Sequence, residues 1–125
     1  MRALRTITVP TLDHGPITIT CPDWCTEPHQ NPEYRIDLTH AGPDIAFNVE
    51  TSRGPATLMT AWYEQRPHIG ERFPGTRTFI NVEINGDTYP SDPRQLDQLA
   101  AALTIHAIHL RTLAQQLTAL KTVAT

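Results

Sequence analysis

The stretch Thr78-Phe79-Ile80-Asn81-Val82-Glu83-Ile84-Asn85-Gly86, continuing through Asp87-Thr88-Tyr89-Pro90-Ser91 to Asp92-Pro93-Arg94-Gln95, changes pattern twice. Ile80, Val82 and Ile84 alternate with polar residues, so in an extended chain they share one face. Asn85-Gly86 is the strongest short hairpin signal in the chain, because both residues accept the positive φ of a type I′ turn. Asp92 then stands where a helix N-cap is wanted, with Pro93 at the first helical position and Gln95 where a capping box places an amide or carboxylate. A long helix is predicted from 92 to about 121.

Upstream, residues 5–9 and 16–20 alternate with period two around the break His14-Gly15-Pro16, and read as a first hairpin. Short strands are predicted at 36–40 and 45–50, a turn at Ser52-Arg53-Gly54-Pro55, and a longer strand at 56–63. The segment from Arg66 to Gly75 reads as a flexible loop. Strands followed by one terminal helix, without regular alternation, give an α+β fold: an antiparallel sheet of about five or six strands with one long C-terminal helix packed on a face. The 125 residues, 39 % of them apolar, fit a single domain over 1–125 with a modest core. Within it, 4–84 would form the sheet with a loop at 21–40, and 92–121 the helix.

The formal charge of -3 offers no general attraction to phosphate backbones or anionic lipid. The N-terminal residues carry early positive charge but break into alternation where a leader needs an unbroken apolar run. No apolar stretch is long enough to span a membrane. The expected location is the cytoplasm, where two close cysteines more often mean metal or redox chemistry than a structural crosslink.

Both cysteines of the chain fall in Cys21-Pro22-Asp23-Trp24-Cys25-Thr26-Glu27-Pro28-His29. A metal knot, a disulfide and a tight loop without chemistry compete for this segment. Cys21, Cys25, His29 and, further on, His40 match a closed tetrahedral zinc site, since zinc accepts both sulfur and nitrogen and has no electronic preference for another geometry. Zinc is the expected cofactor and the segment a zinc-stabilised loop. The spacing is not that of the familiar zinc finger. Asp37, Asp23 or His14 are alternatives to His40 for the fourth bond, and water in that position would make the site catalytic. Trp24 is expected to shield one side of the site.

Cys21-Pro22-Asp23-Trp24-Cys25, then His29, then the segment of Asp37 and His40-Ala41-Gly42-Pro43, resembles an uncharacterised family of small actinobacterial proteins. Those proteins are similar in opening with a short strand region, a C-P-x-W-C segment followed by a histidine, and a histidine near a glycine. They also end in an Ala- and Leu-rich helix just after a strand, as Val82-Glu83-Ile84 and Asp97 to Leu103 do here. Many members carry a second histidine or an arginine where this chain has Ala41. The resemblance strengthens the metal segment and implies no known activity.

In the predicted helix, Leu96, Leu99, Leu103, His106, Leu110, Leu113, Leu117 and Leu120 are spaced alternately three and four residues apart, a heptad seam. Ala101, Ile105 and Ile108 form a second apolar strip. One face would cover the sheet while the other meets a second copy, giving a homodimer through the C-terminal helix. The alternative is a helix largely buried within a monomer. His106 and His109 read as interface histidines, and His68 has no evident partner.

No serine, cysteine or threonine sits in a recognisable nucleophile turn, no glycine-rich loop follows a strand, and no pair of carboxylates shares a motif. A non-catalytic binding or regulatory module acting through protein contacts is therefore the leading reading. A zinc hydrolase with Glu27 or Asp37 as general base is the alternative. A nucleic-acid-binding zinc module comes third, because Glu64 and Glu71 dilute the charge of Arg66, Arg72 and Arg77.

Overall fold

The computed structural model describes residues 4–123; residues 1–3, which open the segment read above for a leader, and 124–125 lie outside them. The elements are β1 (Arg5–Val9), β2 (Ile17–Cys21), β3 (His40–Ala41), β4 (Ile45–Thr51), β5 (Gly54–Gln65), β6 (Phe79–Ile84), β7 (Asp87–Ser91) and α1 (Pro93–Val123). The fold is α+β, with antiparallel strands followed by one long helix, as the change of pattern at Asp92 predicts.

The strands of the described residues form two sheets. β1 and β2 pair only with each other, with Arg5 opposite Cys21 and Ile7 opposite Ile19. The larger sheet is built around β5, the longest strand. β6 runs along one edge of β5, while β3 and β4 follow each other along its opposite edge. Between those two short strands Gly42 keeps the ladder going, its N–H donating to the Tyr63 carbonyl at 2.9 Å. β7 closes the far side by pairing with β6 through the predicted hairpin, where Asn85 (φ 56°) and Gly86 (φ 88°) both take positive φ.

The expected strand at 36–40 is mostly a turn. Arg35–Asp37 form a short 3-10 helix, and pairing with β5 begins only at His40. Leu38 explains the difference, because it is 2 % exposed and belongs to an apolar cluster with Val9, Ile19, Cys21 and Cys25. Ile7, Ile17 and Trp24 pack against the same cluster. The chain turns to deliver Leu38 to the hairpin before it joins the larger sheet. Along β6, Val82 is buried and Ile80 and Ile84 are half-buried, as the alternation predicts, but the opposite face is covered too, with Asn81 3 % exposed and Phe79 half-buried, and only Glu83 is exposed.

The described chain divides into two compact units at the junction of Ser91 and Asp92. The second unit is the helix. Its first turn carries the full capping box: the Asp92 N–H donates to Gln95 Oε1 at 2.9 Å, and the Gln95 N–H donates to Asp92 Oδ1 at 2.8 Å. Ile105 and Ile108, the strip expected to lie against the sheet, are each 57 % exposed, and Leu110, Leu113, Leu117 and Leu120 are exposed as well. Among the described residues, no helix is long and apolar enough to cross a membrane.

Candidate metal centre

Each of the four clustered residues reaches the site by a different backbone device. Cys21 ends β2, where it faces Arg5 across the hairpin. The next residues turn back on themselves, with the Cys25 N–H donating to the Pro22 carbonyl at 3.0 Å. That turn is held from both sides: Arg5 Nη2 donates to the Cys25 carbonyl at 3.0 Å, and the Thr26 N–H donates to the Ala41 carbonyl at 2.8 Å. Among the described residues, His29 is one of two non-glycine residues with positive φ, at 54°. This left-handed turn is uncommon for a side chain with a Cβ. His40 opens β3 and is fixed by its pairing with Gln65 in β5.

The result is a cluster in which one ligand atom from each of Cys21, Cys25, His29 and His40 lies within 4.8 Å of all the others. All four residues are buried, with Cys21 fully covered and His40 2 % exposed. His29 Nε2 lies 3.6 Å from Cys21 Sγ and 3.7 Å from Cys25 Sγ. Around a tetrahedral ion with zinc–sulfur bonds of about 2.3 Å and zinc–nitrogen bonds of about 2.05 Å, the sulfur–nitrogen edge is about 3.6 Å. The two distances from His29 to the sulfurs match that edge. The His29 and His40 rings meet edge to face with centroids 5.3 Å apart. Both cysteines are free thiols, so the disulfide alternative is not the arrangement seen. Of the alternatives for the fourth position, His14 lies against Asp13 at 3.1 Å, Asp23 and Asp37 are exposed, and none belongs to the cluster.

Burial disfavours the charged form of three of these groups. Burial pushes the Cys21 thiol up, and neighbouring Cys25 adds to the rise. Burial also lowers His29, and it takes His40 down to about 4, with the charges of His29 and His68 as lesser causes. Nδ1 of His29 and Nδ1 of His40 are buried without a hydrogen-bond partner. Two cysteines and two histidines at this spacing could hold a metal ion, whose charge would favour the thiolate form of its sulfur ligands.

Trp24 sits over the turn between the cysteines, packed against the apolar cluster, and its ring lies 5.6 Å from that of Tyr63 on β5. Gly42 leaves room for this contact, since a Cβ there would stand 3.2 Å from the Trp24 carbonyl. The cysteine turn is thus fastened to the larger sheet at Ala41, Gly42 and Tyr63.

Glu64 was not foreseen as part of the site's surroundings. It is 5 % exposed, on β5 opposite Ala41. Its carboxylate accepts from Trp62 Nε1 at 2.9 Å, from Asn81 Nδ2 at 3.2 Å and from Arg66 Nε at 2.8 Å. The signal available in the sequence was the alternation Trp62, Glu64, Arg66, which puts all three on one face of a strand. Arg66 is therefore held by a buried carboxylate, and with Arg72 and Asp37 it lines a cavity of about 280 Å³. Arg77 is exposed. His68 Nε2 is buried without a partner, and burial lowers its pKa, with Arg35 and His14 adding to the effect.

Among known proteins, the chain matches a domain of unknown function, DUF6907, over residues 6–119. No curated protein and no solved structure matches it. The match begins inside β1, takes in all four clustered residues and extends through most of α1, and on that coverage the chain belongs to the DUF6907 family.

Proposed function

We propose that Cys21, Cys25, His29 and His40 hold one structural zinc ion, and that the domain is a non-catalytic module acting in the cytoplasm through contacts with other proteins. The observation that carries this reading is the buried set of two sulfur and two nitrogen donors within 4.8 Å of one another. Zinc suits a mixed sulfur and nitrogen set, and four protein ligands fill its tetrahedron and leave no place for substrate. Bound there, zinc supplies a crosslink between β2, the cysteine turn and β3 and does no chemistry. The contact surfaces are apolar: Ile45 and Phe47 on the edge strand β4 are 61 % and 41 % exposed, and the leucines of α1 offer a surface to a second copy. Elemental analysis of the purified protein tests the metal, with about one zinc per chain expected, and the absence of bound metal at neutral pH sinks the proposal.

A second reading, a zinc hydrolase with an open ligand position, is favoured by one observation. A cavity of about 270 Å³ beside His29 is lined by Glu27 and Glu33, which would put a carboxylate near the metal. Burial raises the Glu33 pKa, and neighbouring Asp37 and Glu27 add to it. Cobalt substitution separates the two readings. A closed site gives a tetrahedral cobalt spectrum that azide does not alter, and an azide-dependent change would move the function to the hydrolase.

A further inference from the structure

The seam of α1 is self-complementary in one direction. Leu96 and Leu120, Leu99 and Leu117, Leu103 and Leu113, and His106 and Leu110 each lie the same distance on either side of residue 108. Leu103, Leu110, Leu113, Leu117 and Leu120 are 39–66 % exposed, His106 is exposed, and Leu96 and Leu99 are half-buried. From Leu96 to Leu120 the stripe is about 36 Å long and about 10 Å wide. That reaches the few hundred Å² that soluble monomers rarely leave open.

We infer that this face of α1 binds a second copy of the chain with the two helices antiparallel, about a two-fold axis at residue 108; the inference rests on the self-association proposed above. In an antiparallel pair each first-position seam residue meets a fourth-position residue of the other helix. The symmetry about 108 then matches every layer: Leu96 against Leu120 of the second copy, Leu99 against Leu117, Leu103 against Leu113. His106 packs on Leu110 of the second copy. A parallel pair would instead set each residue against its own copy and bring two His106 imidazoles face to face inside an otherwise leucine seam.

The flanks agree. Ala100, Ala107 and Ala114 recur every seven residues beside the seam, and in the antiparallel arrangement this flank meets itself, Ala100 against Ala114 of the second copy and Ala107 against Ala107. Side chains that small let the two backbones approach closely. Lys121 comes to the level of residue 95 of the second copy, beside its Asp97 and its helix N-terminus, and the same contact is made at the other end by symmetry. The negative C-terminal end of each helix also faces the positive N-terminal end of the other. A parallel pair has none of these charge contacts.

The test uses the whole zinc-loaded protein. Sedimentation equilibrium at micromolar concentration is expected to give twice the 14.0 kDa chain mass. Ala107→Cys and Leu120→Cys are then oxidised separately, with the wild type as control for Cys21 and Cys25. Ala107→Cys is expected to form an intermolecular disulfide. Leu120→Cys is not, because its two copies lie about 36 Å apart, far beyond disulfide reach. Leu110→Glu with Leu117→Glu is expected to weaken association by about a hundredfold or more while metal content stays the same. Crosslinking through Leu120→Cys overturns the antiparallel arrangement and leaves self-association standing. A dimer that crosslinks at neither position removes the seam from the interface, and a mass near 14 kDa overturns self-association itself.

Discussion

Stripping the metal is the perturbation whose size follows most directly from the structure. The buried apolar cluster contains Val9, Ile19, Leu38, Cys21 and Cys25, so two of its members belong to the proposed metal centre. Val9, Ile19 and Leu38 contribute about 1.5–3 kcal/mol each on burial. A bound ion at a free concentration a thousandfold above its dissociation constant adds about 4 kcal/mol, as much as one or two of those side chains. For a unit of this size each kcal/mol moves the melting temperature by about 4–8 °C, so loaded and stripped protein should differ by about 15–30 °C. Calorimetry of the protein with zinc and after chelation measures this. Cys21→Ser and Cys25→Ser should lose the metal and melt like stripped protein, while Asp23→Ala, at an exposed position outside the cluster, should behave as wild type. Equal melting temperatures with and without zinc would refute the structural role of the site.

Glu64→Ala removes the acceptor of Trp62, Asn81 and Arg66; Arg66 is partly exposed and counts for little, so a loss of about 2 kcal/mol in urea unfolding is expected, and an unchanged midpoint contradicts it. Asp92→Ala breaks the capping box and should cost the helix about 1 kcal/mol, seen as faster amide exchange in its first turn; exchange as slow as in the wild type counts against the cap. His40 titrates at about 4 in the folded chain against about 6.5 unfolded, so the unfolded state takes up the proton first as pH falls. Stability of the stripped protein is then full above about pH 6.5 and declines towards pH 4. Urea midpoints that stay flat across that window contradict the burial of a neutral His40.

What could be read from the sequence was local. The hairpin at Asn85-Gly86 and the cap at Asp92 depend on backbone preferences of adjacent residues, and both appear where expected. Cys21, Cys25 and His29 were legible because few structural roles call for such donors so close together. His40 was harder, since its place depends on pairing with Gln65, a partner far along the chain. The turn at Arg35–Asp37 was read as strand because Ile36, Leu38 and His40 alternate, and only the destination of Leu38 in the hairpin cluster overrides that pattern. The burial of Glu64 is hidden from the sequence for the same reason: the groups that satisfy it, Trp62, Arg66 and Asn81, share its face of the sheet, and Asn81 arrives from another strand. The separation of the first hairpin from the larger sheet also lay beyond local pattern, because alternation tells which residues face inward and not which strands pair.

The position of the two tryptophans makes the centre optically legible. Trp24 lies between the two cysteines and stacks near Tyr63, while the Trp62 indole N–H is tied to Glu64, which pairs with the residue next to His40. The chain has no other tryptophan. Excited at the red edge of the indole band, where tyrosine absorbs little, its emission therefore comes from Trp24, between the clustered cysteines, and from Trp62, on the strand that pairs with His40. Loading and emptying of the proposed site would then be observable in unlabelled protein.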